Sequence, residues 1–245
     1  YTHTRSLLGV QSYIFLYCPT YCSGVPRSWR TIVTKHLTNR EKLAIAIEIK
    51  KRKDLKRYEE SYQDFASEQI RILPKDAGRG FIPLEFNTAQ QIVNNAIEKQ
   101  LKETGKVRAI ILKARQMGLS TYATGRVYWK SYLTPFNKSV VMAHDSATSD
   151  ALFSMSRNII QNMRPEFTPI LKKSNSKEIG FEHNDSGYRL YTAGSPEAGR
   201  GTTPTIAHLS EVAFWTHDAK ILAGLFQGIS QADGTEVILE STANG

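Results

Sequence analysis

The stretch Val107–Thr121, VRAIILKARQMGLST, decides the fold. Val107 to Leu112 is a short, mainly apolar run bounded by a loop, as a buried strand is. Gly118 then permits a tight turn, and Ser120 and Thr121 open a segment that reads as a helix to Leu133, with Pro135 past its end. Strand, tight loop and helix in this order have the shape of a phosphate-binding loop. Backbone N–H groups curl round the anion, and the helix N-terminus adds partial positive charge. The usual pattern, G-x-x-x-x-G-K-[ST], is half present. Gly118 and Ser120 match; Lys113 stands where the first glycine belongs, and Leu119 where the lysine belongs. Lys113 at the loop start and Arg115 inside it are the cations in reach of the phosphates. The alternative is an ordinary strand-turn-helix.

Outward from this stretch, strands and helices alternate. Upstream, Asn87 or Thr88 caps a helix, AQQIVNNAIEKQLKETG, that Gly105 stops. PKDAGRGFIPL (Pro74–Leu84) is a loop by its Gly and Pro content. Thr38 and Glu41 form a capping box opening one long helical run, with Leu43, Ile47, Leu55, Tyr58, Tyr62 and Phe65 at roughly helical spacing. Its basic segment KKRKDLKR (Lys50–Arg57) reads as a solvated face in preference to a DNA contact. Downstream lie a strand at Ser139–His144, a helix from about Ser146 to Met163, a hairpin in EIGFEHNDSGYRLYTAG with NDSG at its turn, and two further strands in TPTIAHLSE and TEVILEST. Short apolar strands separated by helices imply a mostly parallel sheet covered on both faces. Residues 1–37 show no periodicity and stay unassigned.

The composition is that of a globular chain, 40% hydrophobic and 22% charged over 245 residues, and the net charge of +9 suits a polyanionic partner. The two cysteines, Cys18 and Cys22, lack the second pair that a zinc site needs and do not make a disulfide framework, so a reducing, cytosolic setting is expected. No apolar run approaches the length of a membrane span. Starting at Tyr1 and stopping at ESTANG, the sequence reads as part of a longer protein.

Three more motifs carry chemistry. TIAHLSEVAFW (Thr205–Trp215) sets an apolar strand just before Glu211, placed to orient or deprotonate an attacking water. The Asp that usually precedes such a glutamate, holding Mg²⁺ through water, is replaced by Ser210, whose hydroxyl holds a metal-bound water more weakly. VILESTANG (Val237–Gly245) ends a strand in Ser241, Thr242 and Asn244, a group suited to sensing a γ-phosphate. SPEAGRGTTP (Ser195–Pro204) puts Arg200 between glycines, on a flexible loop from which it can serve as an arginine finger. The blander alternatives are a surface glutamate, a plain Asn-Gly turn and an exposed loop arginine.

In order and spacing these motifs resemble the N-terminal ATPase domain of the large terminase subunit, the DNA-packaging motor of tailed bacteriophages and prophages. LKARQMGLST corresponds to its variant Walker A, GRG with AHLSEVAFW to its Walker B region, and ESTANG to its coupling motif. FNTAQQIV is similar to its adenine-binding motif, with Gln90 the first contact and Gln91 the second. The resemblance covers about residues 80–245 and implies an α/β, additional-strand P-loop NTPase fold, with a central, mainly parallel sheet flanked by helices, preceded by a helical N-terminal extension at 38–79. It implies that Lys113, Ala114, Arg115, Gln116, Met117, Gly118, Leu119, Ser120 and Thr121 cradle ATP, with Lys113 or Arg115 carrying the phosphate charge; our reading leans to Lys113 on the phosphates and Arg115 sensing. The expected roles are Mg²⁺ binding for Ser120, activation of water for Glu211, action in trans for Arg200, and coupling of hydrolysis to motion for Thr242 and Asn244. Double-stranded DNA, a homo-oligomeric ring (a pentamer), the portal protein and the small terminase subunit are the implied partners. The implied setting is the host bacterium's cytoplasm, transiently at the procapsid portal, with no membrane contact. The family's nuclease domain lies beyond this sequence, so no DNA cleavage is expected of it. The rivals are another P-loop enzyme, helicase-like or a small-molecule kinase, and an inactive prophage DNA-binding remnant.

Overall fold

The computed structural model describes residues 38–74, 78, 80–193, 203–215 and 218–244. The chain divides into two compact units, Tyr1–Arg52 and Lys53–Gly245. What is described of the first is the start of helix α1 (Asn39–Glu60). The capping box forms there: Glu41 accepts from the Thr38 N–H at 2.8 Å, and the Thr38 hydroxyl accepts from the Glu41 N–H at 3.3 Å. Leu43 and Ile47, which the helical spacing assigns to an apolar face, are exposed.

In the second unit the long helical run is broken in two. Helix α2 (Tyr62–Gln69) restarts after Ser61, whose extended backbone (φ −142°) and hydroxyl, accepting from the Asp64 N–H at 3.1 Å, cap the new helix. The break turns Tyr62 and Phe65 onto helix α4 (Leu119–Leu133), where their rings lie 5.3 Å from Trp129 and 6.4 Å from Tyr128. A two-stranded antiparallel pair, β1 (Arg71–Ile72) and β2 (Ile82–Pro83), follows α2. Helix α3 (Thr88–Thr104) ends at Gly105, as expected.

The main sheet has seven strands: β3 (Val107–Leu112), β4 (Lys138–Ala143), β5 (Leu171–Ser174), β6 (Glu178–Phe181), β7 (Gly187–Thr192), β8 (Ile206–Ser210) and β9 (Glu236–Ser241). Their order is β3-β9-β8-β4-β7-β6-β5. From β3 to β7 all neighbours are parallel; β6 runs antiparallel to β7 as the expected hairpin, and β5 extends it at the edge. β9 intervenes between the strand that leads into the phosphate loop and the strand that ends before Glu211, which is the arrangement the additional-strand expectation calls for. Helix α5 (Ser146–Asn162) follows β4, and helix α6 (Asp218–Gly228) precedes β9.

Alternation along the strands builds a core on each face. Val141, Ala143, Ile206 and Ile238 face one apolar cluster with α2, α4 and α5, while Val140, Met142, Ala207, Leu209 and Val237 face another with Leu225 and Trp215. Edge strand β3 departs from the two-sided covering expected: Val107 is buried, but Ile110 and Leu112 are 84% and 77% exposed. No helix among the described residues is long and apolar enough to cross a membrane.

One buried charge cluster ties α4 to the foot of β9. The Arg126 guanidinium donates to both oxygens of Glu236, at 2.6 and 3.0 Å, and to Glu98 at 2.6 Å; Lys130 stands 3.3 Å from Glu236. Arg126 and Glu236 are fully buried. Burial resists the charged form of Glu236, but Arg126 and Lys130 outweigh it and hold its carboxyl below the usual range.

Candidate active site

Register brings the chemistry to one end of the sheet. Leu112 pairs with Ser241 and Ser210 with Glu240, so the segments leaving β3, β8 and β9 emerge side by side at their carboxyl ends. A cleft of about 420 Å³ opens there, lined by Lys113, Arg115, Gln116, Ser120, Ser210, Glu211 and Thr242 on its polar side. Leu152 and Met155 of α5, with Phe214, form an apolar wall.

The loop leaving β3 is shaped for an anion. Gln116 (φ 69°) and Gly118 (φ 71°) are left-handed on either side of Met117, an alternation that aims successive N–H groups into one hollow. The left-handed backbone at Gly118 calls for glycine, and a Cβ there, 2.8 Å from Gln90 Nε2, would also push that side chain off its bond to the loop. Gly118 caps α4 with no side chain bonded to the helix's first N–H groups, which leaves those donors to an anion. Leu119, in the usual lysine's place, is 3% exposed and packs inward.

The upstream motif braces this loop. Asn87 caps α3 with Gln90 in a capping box. Gln90 Nε2 donates to the Gly118 carbonyl at 2.8 Å and Asn87 Nδ2 to that of Met117 at 3.2 Å. Gln90, expected against an adenine, is buried and engaged at the loop backbone; Gln91 donates to Asn95 at 2.9 Å.

Lys113 is the hub. Its ammonium donates to the Ser120 hydroxyl at 2.8 Å, stands 3.1 Å from Glu211 Oε1 and forms an ion pair with Glu240. Burial alone would lower its pKa; the carboxylates outweigh that and raise it, so it stays charged. Arg115 is exposed at the cleft and makes no hydrogen bond or ion pair with the described residues, so of the two candidate cations Lys113 is the one fixed in the site.

Glu211 is held from the other side. Its Oε2 accepts from the Thr242 N–H at 3.1 Å and the Thr242 hydroxyl at 3.2 Å. Burial pushes its carboxyl up, but Thr242 and Lys113 outweigh this and lower it, so it is ionised at neutral pH. Its backbone is left-handed (φ 54°, ψ 46°), unusual outside glycine and asparagine. Asn244 donates to the Ala213 carbonyl at 2.9 Å, so the segment after β9 clasps the Glu211 turn at Thr242 and Asn244. Ala114, Met117, Leu119 and Thr121 support the loop without lining the cleft. Arg200 lies outside the described residues.

Sequence reasoning does not single out Glu240 or His208. Ser210 donates to Glu240 Oε1 at 2.6 Å, and His208 Nε2 lies 3.3 Å from the same oxygen. Burial would raise the Glu240 carboxyl; contacts from His208, Lys113 and Ser210 outweigh it and bring it down to about 2. A signal is present in the sequence all the same: a carboxylate in the run VILES is rare in a buried strand unless paired.

Among the described residues no group of three or more His, Cys, Asp or Glu is placed to hold a metal ion by itself. The oxygens at the cleft, from Ser120, Ser210 and Glu211, fit a hard cation such as Mg²⁺, which keeps several waters and takes its remaining ligands from phosphates.

No family model matches this chain, and no curated protein does. Among solved structures, the large terminase of bacteriophage HK97 aligns with 74% of this chain at 15% identity and a TM-score of 0.60. The chain spans 37% of that protein's length. The large terminase of a thermophilic bacteriophage, solved in complex with ADP, aligns with 64% of this chain and 38% of its own, at 12% identity and a TM-score of 0.49. The large terminase ATPase domain of Thermus phage P74-26 covers 57% of this chain and 60% of its own, at 16% identity and 0.45. At such identities the likeness is one of fold, the one this chain shares with the HK97 large terminase.

Proposed function

We propose that this chain is the ATP-hydrolysing motor domain of a phage large terminase, which drives double-stranded DNA into a procapsid. The observation that carries this reading is the meeting of Lys113, Ser120 and Glu211 at one cleft, where three adjacent parallel strands end. The fold shared with the HK97 protein supports it.

The loop N–H groups and the first turn of α4 hold the phosphates, with Lys113 as the fixed cation and Arg115 reaching in from the rim. Ser120, and Ser210 through water, are the residues to hold Mg²⁺, which supplies charge neutralisation at the phosphate oxygens. Glu211 orients the attacking water and takes its proton. A phosphate and Glu211 compete for the Lys113 ammonium. As Lys113 turns to a phosphate, Glu211 loses a partner that lowers its pKa and becomes a stronger base, so basicity follows substrate binding. Thr242 and Asn244, bonded to the Glu211 turn, pass the change to the segment beyond β9. Gln91, and Gln90 on releasing one of its two bonds, remain our candidates for contact with the adenine. Arg200 of a neighbouring copy completes the site in a ring, and the net charge of +9 suits contact with the DNA backbone. The portal protein and the small terminase subunit are the assembly partners, in the host cytoplasm.

Phosphate release with and without double-stranded DNA tests this. Hydrolysis requiring Mg²⁺ and raised by DNA is expected. Lys113→Gln, which keeps a donor for Glu240, is expected to reduce turnover by about 10²-fold, the effect of losing one charge-stabilising donor. A wild-type chain that binds no nucleotide, or a Lys113→Gln variant that hydrolyses ATP normally, rejects the reading.

A further inference from the structure

An Mg²⁺-ATP site built on Glu211 leaves one charge unaccounted for. The carboxylate that usually stands just before the base, at the end of the same strand, is here the neutral Ser210. A carboxylate does lie beside it, on the next strand. Glu240 is opposite Ser210 in the β8–β9 register and is 1% exposed. Burying a carboxylate this deeply is unfavourable unless its partners repay the lost hydration. Its partners are the groups of the site: Ser210 and His208 at Oε1, and Lys113 at Oε2.

The two residues divide the work by position. Both are 1% exposed, but Ser210 is among the residues lining the cleft and Glu240 is not. A hydroxyl has one hydrogen to give, and that of Ser210 is given to Glu240 at 2.6 Å. With that hydrogen committed, the Ser210 oxygen has only lone pairs left to offer a donor in the cleft, and a short bond to a carboxylate makes that oxygen a stronger acceptor. A water bound to a cation is a strong donor, and an acceptor backed by negative charge is what it needs.

We propose that Ser210 and Glu240 together replace a single aspartate, with Glu240 supplying the charge from the neighbouring strand and Ser210 presenting it to a metal-bound water in the cleft. Glu240 is a positioning residue, acting through Ser210 and through Lys113. The inference rests on the ATP-site reading above and deepens it by naming the second acidic group of that site.

The test is the Mg²⁺-dependent part of nucleotide affinity, titrated on the full chain with a fluorescent ATP analogue in excess Mg²⁺ and again in EDTA. Wild type is expected to bind more tightly with Mg²⁺. Ser210→Ala and Glu240→Gln should each weaken binding in Mg²⁺ by about 10-fold, as the loss of a group supporting a metal ligand does, with a much smaller change in EDTA. The double variant should bind no worse than either single one, because both changes cut the same relay. Ser210→Asp combined with Glu240→Gln should restore the Mg²⁺ gain. Strictly additive losses, a failed rescue, or an undiminished Mg²⁺ gain in either single variant overturns the relay. If Glu240→Gln does not fold, as read by circular dichroism, Ser210→Ala alone decides, since it removes one oxygen from the strand. Wild type that binds no nucleotide at all rejects the site reading itself; wild type that binds while the variants keep its Mg²⁺ gain rejects only the relay.

Discussion

Glu211→Gln is expected to slow ATP hydrolysis by about 10²–10⁴-fold, the range set by losing a positioned base. Glu211 is the only carboxylate among the described residues that line the cleft. Glutamine keeps the volume and an oxygen for the Thr242 donors, so the turn after β8 retains its clasp. What is lost is a group able to take a proton. Nucleotide affinity is therefore expected to stay within about threefold of wild type, which places the loss in turnover. Single-turnover hydrolysis beside equilibrium binding checks both halves. Turnover near the wild-type value would assign the base elsewhere.

Arg126→Met is expected to destabilise the second unit by about 3–5 kcal/mol, the effect of leaving one partner of a buried ion pair behind. Glu236 would remain fully buried with Lys130 at 3.3 Å as its nearest cation, which puts the loss toward the lower end. Contacts of the guanidinium with the Trp129 ring, 5.2 Å from its centre, would go too. For a unit of this size each kcal/mol lowers Tm by about 2–4 °C, so a fall of roughly 6–20 °C should appear in a circular-dichroism melt. Adding Glu236→Leu should recover most of it, since an apolar pair of similar volume removes the orphaned charge. A single variant melting within about a degree of wild type would mean that the cluster is held by packing instead.

Strands β3, β4, β8 and β9 were legible because each is an apolar run, and β3 is followed by a glycine turn. The break at Ser61 was hidden by residues on either side that keep helical spacing, although Ser61 and Asp64 are a capping signature in their own right. β5, reading LKKS, has no alternation to find: it is an edge strand, and lysines suit an edge that must not pair further. At the site, local motifs named Lys113, Ser120, Glu211 and Thr242, which the structure brings together. Glu240 could not be named the same way, because its role depends on which strand lies beside β8, and pairing between segments 30 residues apart is not written in either one. The brace that Gln90 gives the Gly118 carbonyl was hidden in the same way, since it is set by how α3 packs.

The left-handed backbone at Gln116 and Glu211 divides the site into a part that can be relaxed and a part that cannot. Such a conformation costs an L-residue about 1–2 kcal/mol. Gln116 is exposed with no hydrogen bond among the described residues, so Gln116→Asn, better suited to that region, should raise thermal stability by up to about 1 kcal/mol in the same melts, and an unchanged or lower Tm would contradict this. At 211 the same relief is out of reach: asparagine or glycine would ease the turn and remove the base. Selection for heat resistance alone would therefore erode position 211 while improving 116, so robustness and turnover pull against each other across a single cleft that both residues line.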